Sequence, residues 1–349
     1  MHAKTTCLML AVLFVSHASA APQSEENVDR VFTFSHTDNA QDIRDIYYII
    51  LGMSEMRPQT ADTEQRILTL RGTAGQIALA EWLFNELDRP ANPQSSAHRN
   101  IELEKHEFRL SASPPQVARI FYPSYVQTVQ ELTEVATLVR AITDMRGVFV
   151  YNASKALVTR GTPDQVRAAE FLLDKLSKPL GQPNNTLAKY EYKLSGTPED
   201  VVRVFHLTQA KSVQDLTEVA TVLRAIGDIR RVFTYNSARA VAVRGTADQA
   251  GLAEWLCNRL DDTANWKDGR GANSATHQYR LLNTPEDVVR VFYLTQAGTV
   301  QSLHEVATQV RLATKIRRMF PHNASRALAI RGTADQIAVA ERLIDERVR

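Results

Sequence analysis

Val232-Phe233-Thr234-Tyr235-Asn236-Ser237-Ala238-Arg239-Ala240-Val241-Ala242-Val243-Arg244-Gly245-Thr246 reads as two β-type runs around a polar turn. Its second run ends in Arg-Gly-Thr, where a helix begins. The tripeptide recurs at Arg71-Gly72-Thr73, Arg160-Gly161-Thr162 and Arg331-Gly332-Thr333, the intervals 72–161, 161–245 and 245–332 being 89, 84 and 87 residues. A period that long, kept through four copies, predicts four tandem small domains.

Working outward, Thr73, Thr162, Thr246 and Thr333 are each followed three residues later by Gln76, Gln165, Gln249 and Gln336. That spacing is a capping box: the Thr accepts from a free N–H and the Gln reaches back. Pro163 sits at a first helical position, where its missing donor costs nothing. Upstream, Val213, Leu216, Val219, Ala220, Leu223 and Ile226 fall at helical intervals, one apolar stripe facing a core. Val129, Leu132, Val135, Ala136, Val139 and Ile142 repeat the stripe earlier, and Val300, Leu303, Val306, Ala307, Val310 and Ala313 repeat it later. Before each stripe lies a run of strand type, Val201–Leu207 and Val288–Leu294, and before that a short alternating segment such as Tyr190–Leu194. Thr197-Pro198-Glu199 also suits a helix start, which leaves room for a single helical turn there.

The order strand, helix, two strands, helix predicts an α+β fold of βαββα units. The expected boundaries are 21–89 for a diverged first repeat, then 100–178, 188–262 and 275–349. In the first repeat the strand Val28–Phe34 and the run Arg66–Gly72 are clear, whereas the strand between them is weak, as in many terminal repeats. Pro90–Ser96, Pro179–Asn185 and Lys267–Asn273 read as linkers, so the units are expected to move relative to one another.

Residues 1–20 read as a secretory signal: Lys4, an apolar run Cys7–Val15, and the small-residue site Ala18-Ser19-Ala20. That run is too short to span a bilayer, so the mature chain is expected to be exported, with the periplasm its location and no integral membrane segment. Removal of Cys7 leaves Cys257 alone, which excludes an intramolecular disulfide and a cysteine metal cluster. The 41 basic and 39 acidic residues give a net charge of +2 and argue against a polyanion partner found by bulk electrostatics.

The segment Val201–Leu260 resembles the short N-terminal periplasmic modules of bacterial secretins. The resemblance is carried by the hydrophobic strand, the striped helix, and the ending Tyr235-Asn236, Val241, Val243, Gly245-Thr246, Gln249, Leu256 and Leu260-Asp261. It implies a KH-like βαββα fold whose copies pack into rings. Secretins continue into a long β-rich channel domain, and no such region follows in this sequence.

No catalytic or cofactor-binding residue stands out, and no metal site. His206, His304 and His322 fall in different elements, Cys257 lies beside the stripe as a buried thiol, and no nucleophile elbow, phosphate loop or dinucleotide fingerprint occurs. The Gly-x-x-Gly loop by which KH modules clamp nucleic acid is missing, so no nucleic-acid partner is expected. Arg230-Arg231, Arg317-Arg318, Arg160, Arg244 and Arg331 suggest either a basic stripe or, interleaved with acids as they are, solvated strand ends. Glu199-Asp200 and Glu286-Asp287 read as helix-start acids. Asn152-Ala153-Ser154 and Asn323-Ala324-Ser325 match a glycosylation sequon in turns.

The chemistry left is binding. A three-stranded sheet with helices on one side exposes its edges and parts of its second face, unless linkers or neighbouring units cover those edges; open faces predict a non-enzymatic array binding protein partners or itself. Two rivals remain: a periplasmic enzyme with a site between units, and a passive envelope scaffold.

Overall fold

The computed structural model describes residues 27–90, 107–177, 191–197, 199–261, 278–282, 284–294 and 299–348. The signal segment and the linkers lie outside the described residues.

Module 1 contains β1 (Val28–Thr33), α1 (Ala40–Ser54), β2 (Thr60–Asp62), β3 (Ile67–Gly72) and α2 (Ala74–Leu87). Module 2 contains β4 (Glu107–Leu110), β5 (Gln116–Phe121), α3 (Val129–Thr143), β6 (Gly147–Tyr151), β7 (Ala156–Gly161) and α4 (Pro163–Leu176). Module 3 contains β8 (Glu191–Lys193), β9 (Asp200–His206), α5 (Val213–Gly227), β10 (Arg231–Tyr235), β11 (Ala240–Thr246) and α6 (Ala247–Leu260). Module 4 contains β12 (Gln278–Arg280), β13 (Asp287–Tyr293), α7 (Val300–Thr314), β14 (Arg318–His322), β15 (Ala327–Thr333) and α8 (Ala334–Val348). The fold is α+β, with the βαββα order in module 1 and the same order after one additional opening strand in modules 2 to 4.

The sheets differ from expectation by one strand. Module 1 has the three-stranded antiparallel order β1-β3-β2, but the short opening segments of the later modules add a fourth strand, giving β4-β5-β7-β6, β8-β9-β11-β10 and β12-β13-β15-β14. The added strand pairs antiparallel with the next, as in Tyr192 opposite Val202 and Tyr279 opposite Val289. The alternating pattern of those segments is the period-two signature of an edge strand with one wet face.

A larger correction concerns the second face of each sheet. Within a module the helices cover one face: Val241 and Val243 join Leu216, Leu223, Leu252 and Leu256 in a single cluster. Ala240 and Ala242 point the other way, into a cluster with Leu138, Val139 and Ile142 of the preceding module. The same holds for Ala156 and Val158 against Ile46, Ile49 and Ile50, and for Ala327 and Ala329 against Val219, Val222 and Ile226. The first helix of each module is thus the roof of its own core and the floor of the next sheet. The second face is closed in modules 2 to 4, and the modules form one stack with shared cores, not units free to move.

The third strands record this. In β3 burial alternates, with Leu68 and Leu70 fully buried between the exposed Thr69 and Arg71, whereas β11 is buried throughout Ala240–Arg244. A sheet covered on both faces needs a continuous apolar run, and alanine on the helix-facing side lets that helix approach closely.

Candidate functional site: the seams between modules

The Arg-Gly-Thr tripeptide sits where three elements meet. Thr246 Oγ1 accepts from the Gln249 N–H at 3.2 Å, and Gln249 Oε1 accepts from the Thr246 N–H at 3.0 Å. The Gln side chain then donates onward, from Nε2 to the Asp228 carbonyl at 2.9 Å. Gln76, Gln165 and Gln336 donate likewise to the carbonyls of Ser54, Thr143 and Thr314 at 3.0, 3.0 and 3.1 Å. Each Gln therefore satisfies an orphan donor at one helix start and an orphan acceptor at the end of the other helix. The glycine before each Thr makes room: a Cβ on Gly72, Gly161, Gly245 or Gly332 would lie 2.9, 2.8, 2.6 or 2.9 Å from the Gln Oε1.

The arginine reaches across the seam. Arg244 Nη1 donates to the Ile142 carbonyl at 3.0 Å and to the Asp144 carboxylate at 2.9 Å, both at the C-terminal end of α3. Its Nε donates to Asp200 at 3.0 Å and its Nη2 to Thr197 at 3.3 Å, which fix the fork from its own module. Arg331 repeats the set one module on, with Ile226 at 3.1 Å, Asp228 at 3.2 Å, Asp287 at 2.9 Å and Thr284 at 3.1 Å. Arg160 donates to the Met53 carbonyl and to Gln116, and pairs with Glu55 at 3.2 Å. A cation at a helix C-terminus meets the negative end of the backbone dipole as well as the carboxylate. Arg244 and Arg331 are only 7% exposed at the side chain, which overturns both the basic stripe and the solvated strand end. Arg231 and Arg318 add second cations, 2.7 and 2.5 Å from Asp144 and Asp228. Asp200 and Asp287 likewise open strands and hold these arginines, so they are not helix-start acids. The preceding turn does form, with Asp200 N–H bonded to the Thr197 carbonyl at 2.8 Å.

The acceptors sit at a costly backbone position. Glu55, Asp144, Asp228 and Lys315 cap the four first helices with φ of 54, 57, 53 and 57°. Glycine is the usual occupant of that left-handed position. At three of the four a carboxylate takes it instead and receives the arginine of the next module.

Further contacts tie the seams, the first kind at the module 2–3 and 3–4 seams. The Asn that opens the β-turn meets a glutamate of the preceding module: Asn323 N–H and Nδ2 donate to Glu218 at 2.8 and 2.7 Å, and Asn236 Nδ2 lies 3.3 Å from Glu134. Ser237 donates to Glu131 at 2.6 Å; that bond, with the Gln127 and Thr128 amides, holds the Glu131 carboxyl below its usual range. The ends of β5, β9 and β13 reach the C-terminus of the preceding module's second helix, through Tyr122 to Glu86, His206 to Lys175 and Tyr293 to Arg259, at 3.5, 3.0 and 2.7 Å. His206 is thus a seam residue. His322 is buried at the next seam, while His304 lies exposed on α7. Cys257 is buried in the module 3 core, and burial pushes its thiol far up. Asn323 is held by Glu218 and Ser325 is 2% exposed, so that sequon lies in the seam.

Sequence reading missed one tie inside the modules. Arg30, Arg119, Arg203 and Arg290 on β1, β5, β9 and β13 pair with Glu81, Glu170, Glu254 and Glu341 on the second helices at 3.1, 2.7, 2.6 and 2.6 Å. The repeated Ala-Glu in those helices was the signal. The cleft between α3 and β10, lined by Val129, Thr133, Glu134, Phe233 and Asn236, contains one ionisable side chain, and Glu134 already faces Asn236. Among the described residues no group of three or more His, Cys, Asp or Glu is placed to hold a metal ion, and no helix is long and apolar enough to cross a membrane.

No protein-family model matches the chain, and no curated protein does. Among solved structures it is similar to Aeromonas hydrophila ExeD at 15% identity, covering 68% of this chain and 41% of that one, with a TM-score of 0.16. The AspS–GspD pilotin–secretin complex from ETEC aligns at 12% identity over 68% of this chain and 38% of that one, TM-score 0.16. XcpQ N012 aligns at 11% identity over 68% of this chain and 100% of that one, TM-score 0.21. The chain thus spans less than half the length of the first two, and scores this low carry nothing about activity or partners.

Proposed function

We propose that this chain is an exported, non-enzymatic interaction array: a stack of secretin-N-like modules that binds a protein partner in the periplasm, or a second copy, through its sides. The observation that supports this most is an apolar residue kept exposed without a core role. Val129, Val213 and Val300 open the first helix of modules 2, 3 and 4 and are 56, 59 and 55% exposed. A repeated exposed valine fits a partner that meets several modules at once, and each sheet ends in an edge strand on both sides, the kind of element to which a partner strand can add. The ionisable groups at the seams are engaged with one another, which favours binding over catalysis. The resemblance to secretin modules suggests a secretion or pilus system as the setting.

The test is photo-crosslinking in cells from a reactive residue placed at position 129, 213 or 300. A discrete protein adduct is expected from each of the three positions, weakened when the other two valines are changed to Asp. Absence of any adduct in chain shown to be exported and processed after Ala20 would overturn the reading. An adduct of twice the chain's own mass would identify the partner as a second copy.

A further inference from the structure

The seams form a code that can be read along the stack, and both end faces break it. On the helix side, the positions that press on the next sheet are Ile49, Leu138 and Val222, at most 3% exposed, and Met53, Ile142 and Ile226, fully buried. In α7 the same two positions carry Gln309 and Ala313, both exposed. The carboxylates that receive the arginine, Glu55, Asp144 and Asp228, are matched in module 4 by Lys315, at the same left-handed cap. The one group an arginine-bearing sheet requires is thus replaced by its opposite charge.

The other end is altered too. Ala118, Val202 and Val289, fully buried beneath a preceding helix, correspond in module 1 to Asp29, which is exposed and 3.6 Å from Arg71. Val158, Ala242 and Ala329 correspond to the exposed Thr69. Arg71 keeps its place in the motif but is 62% exposed at the side chain. Stacked repeats need end units whose outer faces are polar, because a buried-type face left open would recruit another copy. Brought to α7, a module 1 face would offer Asp29 and Thr69 to Gln309 and Ala313 in place of an apolar seam, and would set Arg71 against Lys315 at the cap where the other seams place a carboxylate, a juxtaposition of like charge that is disfavoured.

We infer that the α7 face is closed to arginine-bearing modules, so that copies of the chain do not join end to end. Any self-association uses the sides. This stands apart from the identity of the partner proposed above.

The experiment extends the full chain after Arg349 by a second copy of residues 262–349, once with the native α7 face and once with Gln309→Val, Ala313→Ile and Lys315→Asp in the fourth module. All three changes are at exposed positions. Hydrogen exchange of the α7 amides reports docking, with α3 and α5 protection as the check that the stack is intact. With the native face, α7 is expected to exchange as it does in the unextended chain; with the restored code its exchange slows by about tenfold or more, the equivalent of one well-formed seam contact. Protection of α7 by extension of the native chain would overturn the inference. So would an absence of protection in the triple variant while α3 and α5 stay protected.

Discussion

Arg71 and Arg331 stand in the same tripeptide at the same place in the same fold, and only the neighbour differs. Arg331 is buried against the end of α5, whereas Arg71 meets water and Asp29. Removing one partner of a buried charge pair is expensive, and an exposed pair contributes little. Arg331→Ala and Arg244→Ala are therefore expected to lose about 3 kcal/mol, and Arg71→Ala less than about 0.5 kcal/mol, in urea unfolding. Equal losses in all three would show that the arginine works inside its own module. Sequence reading located this residue in every copy but not its role. An arginine whose partners are 44 and about 100 residues away in the chain has no local pattern to reveal it, and the near-zero net charge pointed toward solvent.

His322 gives a second test at this scale. It occupies the place of Tyr151 and Tyr235, its Nδ1 lies 2.6 Å from Ser325 Oγ, and its Nε2 is buried without a partner among the described residues. Burial holds its pKa below the ordinary value, against a smaller upward pull from Glu218 and Asp215. The folded state prefers the neutral ring, while the unfolded chain takes up a proton near pH ~6.5. The contribution is then whole above pH ~6.5 and falls away as the pH drops toward the folded pKa. Module 4 is expected to lose stability between pH 7.5 and 5, and His322→Tyr to flatten that loss in urea midpoints measured at both values. An unchanged slope would contradict it.

Among the elements, the start of each second helix was the most legible feature. Thr-x-x-Gln is a local signal with a local partner, and all four pairs make both bonds. What the pattern did not carry was the onward bond from Gln to the other helix, or the reason for the glycine. Gly245→Ala would force its Cβ against Gln249 Oε1, so a loss of about 1–2 kcal/mol is expected, the scale of a lost cap. Gly75, in the first turn of α2 with open space around it, should instead gain about 0.5–1 kcal/mol on change to Ala. Thermal unfolding of the two variants distinguishes steric need from general glycine cost; shifts of the same sign would contradict the account. The added edge strands β4, β8 and β12 were visible as alternation but were not assigned to the sheet, because three to four residues pair only where a partner strand is already in place.

At the scale of the molecule, fold class and the core element order were legible because they rest on periodicity within one copy, and the repeat count because a short motif recurs at near-constant intervals. The stacking was not read, although β3 alternates and β11 does not, a difference that marks which sheets are covered on both sides. The linkers drew attention to separation, while the contacts that join the modules lie between positions about one repeat apart. Three of the four hydrophobic clusters contain residues of two adjacent modules. In such an array stability is the sum of module and nearest-neighbour terms, so weakening one seam uncouples the halves.

Calorimetry of Arg244→Ala beside Arg71→Ala tests this most directly. The wild-type chain and Arg71→Ala are predicted to melt in one coupled transition, and Arg244→Ala in two, modules 1 and 2 apart from modules 3 and 4. A wild-type chain that already melts as separate modules, or an Arg244→Ala chain that melts as one, would contradict the stack.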